Sequence, residues 1–257
     1  MFVDIHSHIL PGIDDGAVDY EDVRAMAEQA VQEGITHLIA TPHYRKLNWF
    51  NKKDMIIELT QEVQAFLDQE QISLQVLPSQ EIHVTDHLID DLLDNQVLSL
   101  DPSGQYYLLE FPSRKLPSNA SDLVSAVIEM GYTPVIAHVE KQQTLVDDMN
   151  ILAEWVEKGA LAQLTAKAIS DPDESAICRE FIDLDLVHFI ASDAHNTAQR
   201  SFHIQEAFQT IQRDYSVEKA AYFAKNSIHL LKGEVIEAPL PQRKKKRKSF
   251  FSFPWFS

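Results

Sequence analysis

Strand and helix signals alternate along this chain from its first residues to about position 232, which predicts an α/β protein with a parallel sheet and helical crossovers. Several strand signals are near-continuous apolar runs, as expected where helices cover both faces of a sheet. Metal-binding residue types recur at the C-terminal ends of these strands, the shared rim where active sites of parallel α/β folds lie. Seven strands fit either a closed barrel or an open doubly wound sheet, and periodicity does not separate the two.

The strands, in order, are "FVDIH", "THLIAT", "SLQVLPS", "YYLLEF", "TPVIAH", "ALAQLT" and "LVHFIAS". Helical patterns fall near 20–33, 53–69, 119–130, 144–157, 173–182, 199–213 and 216–232. In the first helix Asp19 is the expected N-cap, with Asp22 three residues on. Val23, Met26, Ala27, Ala30 and Val31 make one apolar stripe, and Gly34 supplies the stop. No internal repeat or low-complexity segment precedes the C-terminus.

At 257 residues, with 45% hydrophobic and 24% charged residues, the chain has the composition of one large globular domain. No apolar run is long enough to span a bilayer, and the start does not read as a signal peptide. The single cysteine, Cys178, excludes an internal disulfide framework and suits a reducing, cytoplasmic setting. The formal charge is −17, and Arg243–Lys248 holds six of the 22 basic residues, so the rest carries about −23. Such a body repels nucleic acid and attracts cations.

"FVDIHSH" ends in His6 and His8, which share one strand face. "LIATPH" ends in His43, "QEIH" brings Glu81, "YYLLEF" brings Glu110, "VIAH" ends in His138, and "ASDAH" supplies Asp193 and His195. Six of the seven strands thus deliver a ligand type to one rim, and "ALAQLT" does not. His37, His83, His87, His188, His203 and His229 lie elsewhere and are given no role, His188 being expected in the core. Imidazole with carboxylate and no thiolate suits divalent zinc, iron or manganese at a multinuclear site, whose chemistry is hydrolytic. Arg45, Lys141 and Arg200 stand just beyond His43, His138 and His195, and basic groups there favour a phosphomonoester substrate.

These motifs, "DIHSHILPGIDDG", "TPH", "QEIH", "LEF", "IAHVEK" and "ASDAH", resemble the polymerase and histidinol phosphatase (PHP) superfamily. Within it the chain is similar to bacterial manganese-dependent tyrosine-protein phosphatases of capsule and exopolysaccharide operons, the CpsB/YwqE type. The resemblance covers residues 2 to about 232 and implies a distorted (β/α)7 TIM-like barrel with up to three divalent ions, manganese first and iron, zinc or cobalt as alternatives. It implies one ion on His6, His8, Glu81 and Asp193, a second on Glu81, Glu110 and His138, and a third on Asp15, His43 and His195. Arg45 and Arg200 match phosphate-binding positions. Lys141 stands where the family often has arginine, and "QLTAKAI" departs from the family pattern on the one strand without a ligand.

The implied reaction is hydrolysis of phosphotyrosine on a protein partner, a membrane-bound bacterial tyrosine kinase. The rival readings are a small-molecule phosphatase of the histidinol phosphate type and a non-catalytic, membrane-associated regulatory module. A cysteine phosphatase is excluded, because the residue six places after Cys178 is Leu184 where that chemistry needs arginine.

The expected domain runs over 1–233, followed by a linker and tail over 234–257. Arg243, Lys244, Lys245, Lys246, Arg247 and Lys248, followed by Phe250, Phe251 and Trp255, make a basic-aromatic pattern suited to the surface of an anionic membrane. The expected location is therefore cytoplasmic and peripheral to the inner membrane face.

Overall fold

The structure is a computed structural model, and residues 2–244 are described. Its strands are β1 (Phe2–Ser7), β2 (Ile35–Ala40), β3 (His43–Lys46), β4 (Trp49–Phe50), β5 (Gln75–Pro78), β6 (Glu81–His83), β7 (Tyr106–Glu110), β8 (Thr133–Ile136), β9 (Leu161–Thr165) and β10 (Phe189–Ala191). Two of the expected strands are each followed in line by a further short strand, β3 after β2 and β6 after β5. Pro42, which has no N–H to give a ladder, lies between β2 and β3, and Pro78 ends β5 just before β6. Hydrogen bonds from Ser79 N to Ala40 O (2.8 Å) and Glu81 N to Pro42 O (3.1 Å) bridge the break.

The sheets run β1-β2-β5 and β10-β9-β8-β7-β6-β3-β4, all parallel except the β3–β4 hairpin. Because β3 continues β2 and β6 continues β5, the seven expected strand positions follow one another around a ring. The ring returns from β10 to β1 through an isolated parallel bridge, Ser7 to Ala194, rather than a ladder. Asp193 N to His6 O (2.9 Å) and His8 N to Ala194 O (2.8 Å) reinforce that seam. The fold is α/β and barrel-like, with its distortion concentrated there.

Two apolar clusters fit this arrangement. Val3, Ile5, Ile39, Leu108, Val135, Leu161, Phe189 and Ala191 come from strands all round the ring and meet in one cluster, so they fill its inside. Leu109, Ile136, Ala162 and Ile190 point the other way and pack with helix residues such as Met26, Val63, Val127 and Trp155. Alternation at Leu108 and Leu109 is the pleat of a strand covered on both faces.

The first helix spans Tyr20–Gln32, and Asp19 caps it by accepting from Glu21 N and Asp22 N. Val23, Met26, Ala27 and Ala30 are buried as expected, whereas Val31 is 37% exposed and lies off the stripe. The helical pattern at 144–157 is two helices, Gln143–Asp147 and Met149–Lys158, parted where the Asp148 side chain caps Asn150 N. The helix expected from 199 begins at Ile204. Helices Leu88–Leu93 and Ala166–Ser170 and the β3–β4 hairpin have no counterpart among the sequence signals.

Past Gly233 the described chain does not leave the body. The Tyr106 hydroxyl donates to Glu234 O (2.9 Å), and Gln242 N donates to Leu184 O (2.8 Å). Arg243 pairs with Glu157 and Lys244 with Glu180. Tyr106 begins β7 and Leu184 precedes β10, so the segment is anchored through Glu234 and Gln242 at the end of the barrel opposite the strand C-termini. Among the described residues no helix is long and apolar enough to cross a membrane.

Candidate metal centre at the strand C-termini

The "HSHILPGIDDG" stretch folds back on itself, with Ala17 N donating to His8 O (3.0 Å) and Gly12 N to Ala17 O (2.8 Å). Gly16 lies so close to His8 that an added Cβ would stand 2.0 Å from the His8 carbonyl oxygen. This return brings Asp14 and Asp15 to the rim where His6 and His8 end β1. Register completes the rim, since His43 on β3 is the lateral neighbour of Glu81 on β6 and Glu110 lies one strand beyond on β7. His138 follows β8, and Asp193 and His195 follow β10.

The ligand atoms of the nine residues implied by the resemblance, which leave out Asp14, converge. His6 Nε2 lies 3.4 Å from Glu81 Oε1 and 3.4 Å from Asp193 Oδ1, and His8 Nε2 lies 3.4 Å from Glu81 Oε2. His138 Nε2 is 2.8 Å from Glu81 Oε1 and 3.8 Å from Glu110 Oε1. Asp15 Oδ1 is 3.2 Å from His43 Nε2 and 3.3 Å from His195 Nε2. Three groups have ligand atoms within 4.8 Å of one another: His8, Asp15, His43 and His195; His6, His8 and Asp193; and His43, Glu81 and Glu110. These groups overlap the three sets implied by resemblance but share His8 and His43 differently.

The residues fit divalent ions. Donors held about 2.1 Å from one tetrahedral ion stand about 3.4 Å apart, the separation found around His6 and His8. His43 Nδ1 and Glu81 Oε2 are 2.7 Å apart, yet each lacks a hydrogen-bond partner, as does the buried His195 Nε2. Such atoms are costly to bury unless something else coordinates them. The outer ring nitrogens are held in place. Asp14 Oδ2 is 2.7 Å from His8 Nδ1, Gln163 Oε1 is 3.2 Å from His6 Nδ1, and His195 Nδ1 is 2.9 Å from the Asp193 carbonyl. Each contact aims the ring's Nε2 inward, as hydrogen-bond partners on the far nitrogen of a metal-bound histidine do.

Charge at the rim is concentrated and ionised. Burial disfavours a charged His8, but Asp14 and Glu81 outweigh it and raise its pKa to about 10. Burial would raise Glu81 and Asp193 too, but His6 holds Glu81, and Lys141 holds Asp193, well below the usual carboxylate range. Burial and the neighbouring His8 push His195 down to about 4. Two of the presumptive ligands, His138 (φ 31°) and Asp193 (φ 53°), sit in the left-handed region. Strain of this kind gathers at functional sites.

A cleft of about 390 Å³ opens over the cluster, with Lys46, Lys141 and Arg200 as its lysine and arginine lining. Lys141 Nζ is 2.7 Å from Asp193 Oδ2, and Arg200 reaches Asp193 (3.1 Å) and Asp15 (3.3 Å). The structure does not bring Arg45 there. Its guanidinium forms a two-pronged pair with Asp91 and lies over Tyr44 and Phe50. The reason is backbone: Arg45 has φ 60° and the ladder register shifts between Tyr44 and Lys46, so strand alternation fails and Lys46 joins His43 in the cleft.

Sequence reasoning missed Asp14, Gln163, Lys46 and His83, whose Nδ1 is 3.0 Å from Glu110 Oε2. Doubled aspartate in "DDG" was a signal for Asp14, and Gln163 lies on the strand that supplies no ligand. His188 is buried with Nδ1 accepting from Ala162 N (3.1 Å), and Cys178 is buried with its thiol pushed up by desolvation. Of the tail, Lys245, Lys246, Arg247, Lys248, Phe250, Phe251 and Trp255 lie outside the described residues.

Residues 2–232 match the family model for capsular polysaccharide synthesis proteins CpsB/CapC. The chain is 37% identical over 254 residues to the tyrosine-protein phosphatase YwqE of Bacillus subtilis, covering 98% of this chain and 100% of that one. It is 28% identical to the tyrosine-protein phosphatase CpsB of Streptococcus agalactiae, over 91% of this chain and 100% of the other. A chain from the crystal structures of YwqE from B. subtilis and CpsB from Streptococcus pneumoniae, described as unique metal-dependent tyrosine phosphatases, superposes with a TM-score of 0.91 at 36% identity. That match covers 95% of this chain and 100% of the other. A β-aspartyl dipeptidase from Fervidobacterium islandicum, at 16% identity and TM-score 0.56, shares the fold alone.

Proposed function

The chain belongs to the CpsB/CapC family of capsular polysaccharide synthesis proteins, and we infer from that membership that it is a metal-dependent tyrosine-protein phosphatase. The observation that carries this reading is the convergence of His6, His8, Asp15, His43, Glu81, Glu110, His138, Asp193 and His195 beneath a cleft with cationic walls.

Divalent ions bound there would supply hydroxide near neutral pH and offset charge on the transferred phosphoryl group. His6, His8, Glu81 and Asp193 would hold one, Glu81, Glu110 and His138 a second, and Asp15, His43 and His195 a third. We propose manganese as the native metal, since carboxylates mixed with imidazole and no thiolate admit harder divalent ions. Arg200 and Lys141 would meet phosphate oxygens on the Asp193 side, Arg200 with a guanidinium fork and Lys141 as a point charge. The open cleft would admit an aromatic phosphoester on a protein segment, and ions held by the ligand cluster would draw the phosphate inward.

The proposed substrate is a phosphotyrosyl tail of a membrane-bound bacterial tyrosine kinase. The C-terminal basic-aromatic tail is proposed to bring the enzyme to the anionic membrane where that kinase sits. Hydrolysis of a phosphotyrosyl peptide and of histidinol phosphate by one metal-loaded preparation tests the substrate class. Preference for the peptide supports the reading, and preference for histidinol phosphate overturns it.

A further inference from the structure

One cationic side chain of the cleft has no assigned role. Lys46 Nζ lies 2.6 Å from Glu110 Oε1 and 3.1 Å from His43 Nε2, both atoms of the presumptive ligand set. Arg200 and Lys141 crowd the Asp193 side. On the side of Glu110 and His43, Lys46 is the only lysine or arginine lining the cleft among the described residues.

We propose that Lys46 is a phosphate-binding residue whose availability is set by metal loading. Its ammonium competes for the lone pairs of Glu110 Oε1 and His43 Nε2 with the ions proposed on those two residues, so uptake of those ions frees the ammonium. Once released, it meets the phosphate from the side opposite Arg200. This deepens the phosphatase reading and rests on it. The local backbone suits such an exchange. Lys46 sits in a hairpin between two left-handed residues, Arg45 (φ 60°) and Leu47 (φ 52°), with Leu47 88% exposed. Its side chain is 26% exposed, and a four-carbon stem can swing about its own torsions while the hairpin stays put. Arg45 cannot substitute, because Asp91 and two aromatic rings hold it outside the cleft.

The test uses the full chain with Lys46→Met, and Lys46→Gln as a second neutral variant in case the first does not fold. Calorimetric titration of chelator-stripped protein with Mn²⁺ alone reads the competition, and titration of the Mn²⁺-loaded protein with inorganic phosphate reads the contact. The expected results are tighter Mn²⁺ uptake in the variant and phosphate binding weaker by about tenfold, the worth of one charge-assisted hydrogen bond. Unchanged or weaker Mn²⁺ uptake, or phosphate bound as tightly as by the wild type, overturns the proposal. A wild-type protein that fails to hydrolyse a phosphotyrosyl peptide would instead overturn the phosphatase reading itself.

Discussion

Gly16 and His8 are in contact through backbone: a Cβ at position 16 would lie 2.0 Å from the His8 carbonyl oxygen and 2.5 Å from the His8 Cβ. This contact lets the aspartates of "IDDG" reach the histidines of "HSH".

Gly16→Ala therefore tests the rim's architecture. No flexible side-chain end is available to yield, so backbone must move, and overpacking of this kind costs about 1–3 kcal/mol. The variant is expected to lose thermal stability and to bind fewer equivalents of metal. Native melting together with native metal stoichiometry would contradict the contact.

Asp14→Asn removes the carboxylate that orients His8 while sparing every presumptive ligand. Loss of a group that orients a metal-binding histidine costs about 10–100-fold in metal affinity. Calorimetric titration with Mn²⁺ should show that loss in a folded protein, and unchanged affinity would mean that His8 needs no such partner.

Arg45 and Arg200 should separate in kinetics. Arg200→Ala removes a cation of the cleft and is expected to raise KM for a phosphotyrosyl peptide about tenfold, as loss of a charged hydrogen bond does. Arg45→Ala breaks a pair outside the cleft and should leave KM within about twofold, as expected for a residue that touches no substrate. Equal losses would show that Arg45 leaves Asp91 and enters the site.

His188 predicts an acid limit to stability. Burial, aided by the charge on Lys219, pushes its pKa down to about 3, so the unfolded chain takes up the proton first as pH falls. Its effect on stability is nil above about pH 6.5, and stability is lost progressively as pH drops from there toward 3, by up to about 1.4 kcal/mol per unit. Urea unfolding of wild type and His188→Asn across that window should give a shallower pH slope for the variant. Superimposable slopes would refute a neutral buried His188.

The ring and the convergent side chains of its rim were readable because six of the seven expected strands end in ligand-type residues: alternation put His6 beside His8, and parallel strands share one C-terminal rim. Three features escaped for local physical reasons. Arg45 points away from the cleft and Lys46 into it because left-handed backbone at Arg45 broke the period of two. Asp14 was not separated from Asp15, since spacing alone does not say which of two adjacent carboxylates turns toward a histidine. The segment 234–244 read as a linker because prolines and charges conceal its anchors, Tyr106 and Leu184, which lie far away in sequence. The short helix Leu88–Leu93 was invisible at a length that spans less than two turns.

The central claim is that the nine convergent side chains hold ions required for turnover. The most direct measurement is phosphotyrosyl-peptide hydrolysis by protein whose metal content is followed by elemental analysis before chelation, after chelation and after Mn²⁺ is restored, with Asp193→Ala and His138→Ala in parallel. The predicted result is activity that vanishes with the metal, returns with Mn²⁺, and stays absent in both folded variants. Undiminished hydrolysis by metal-stripped protein would contradict the account.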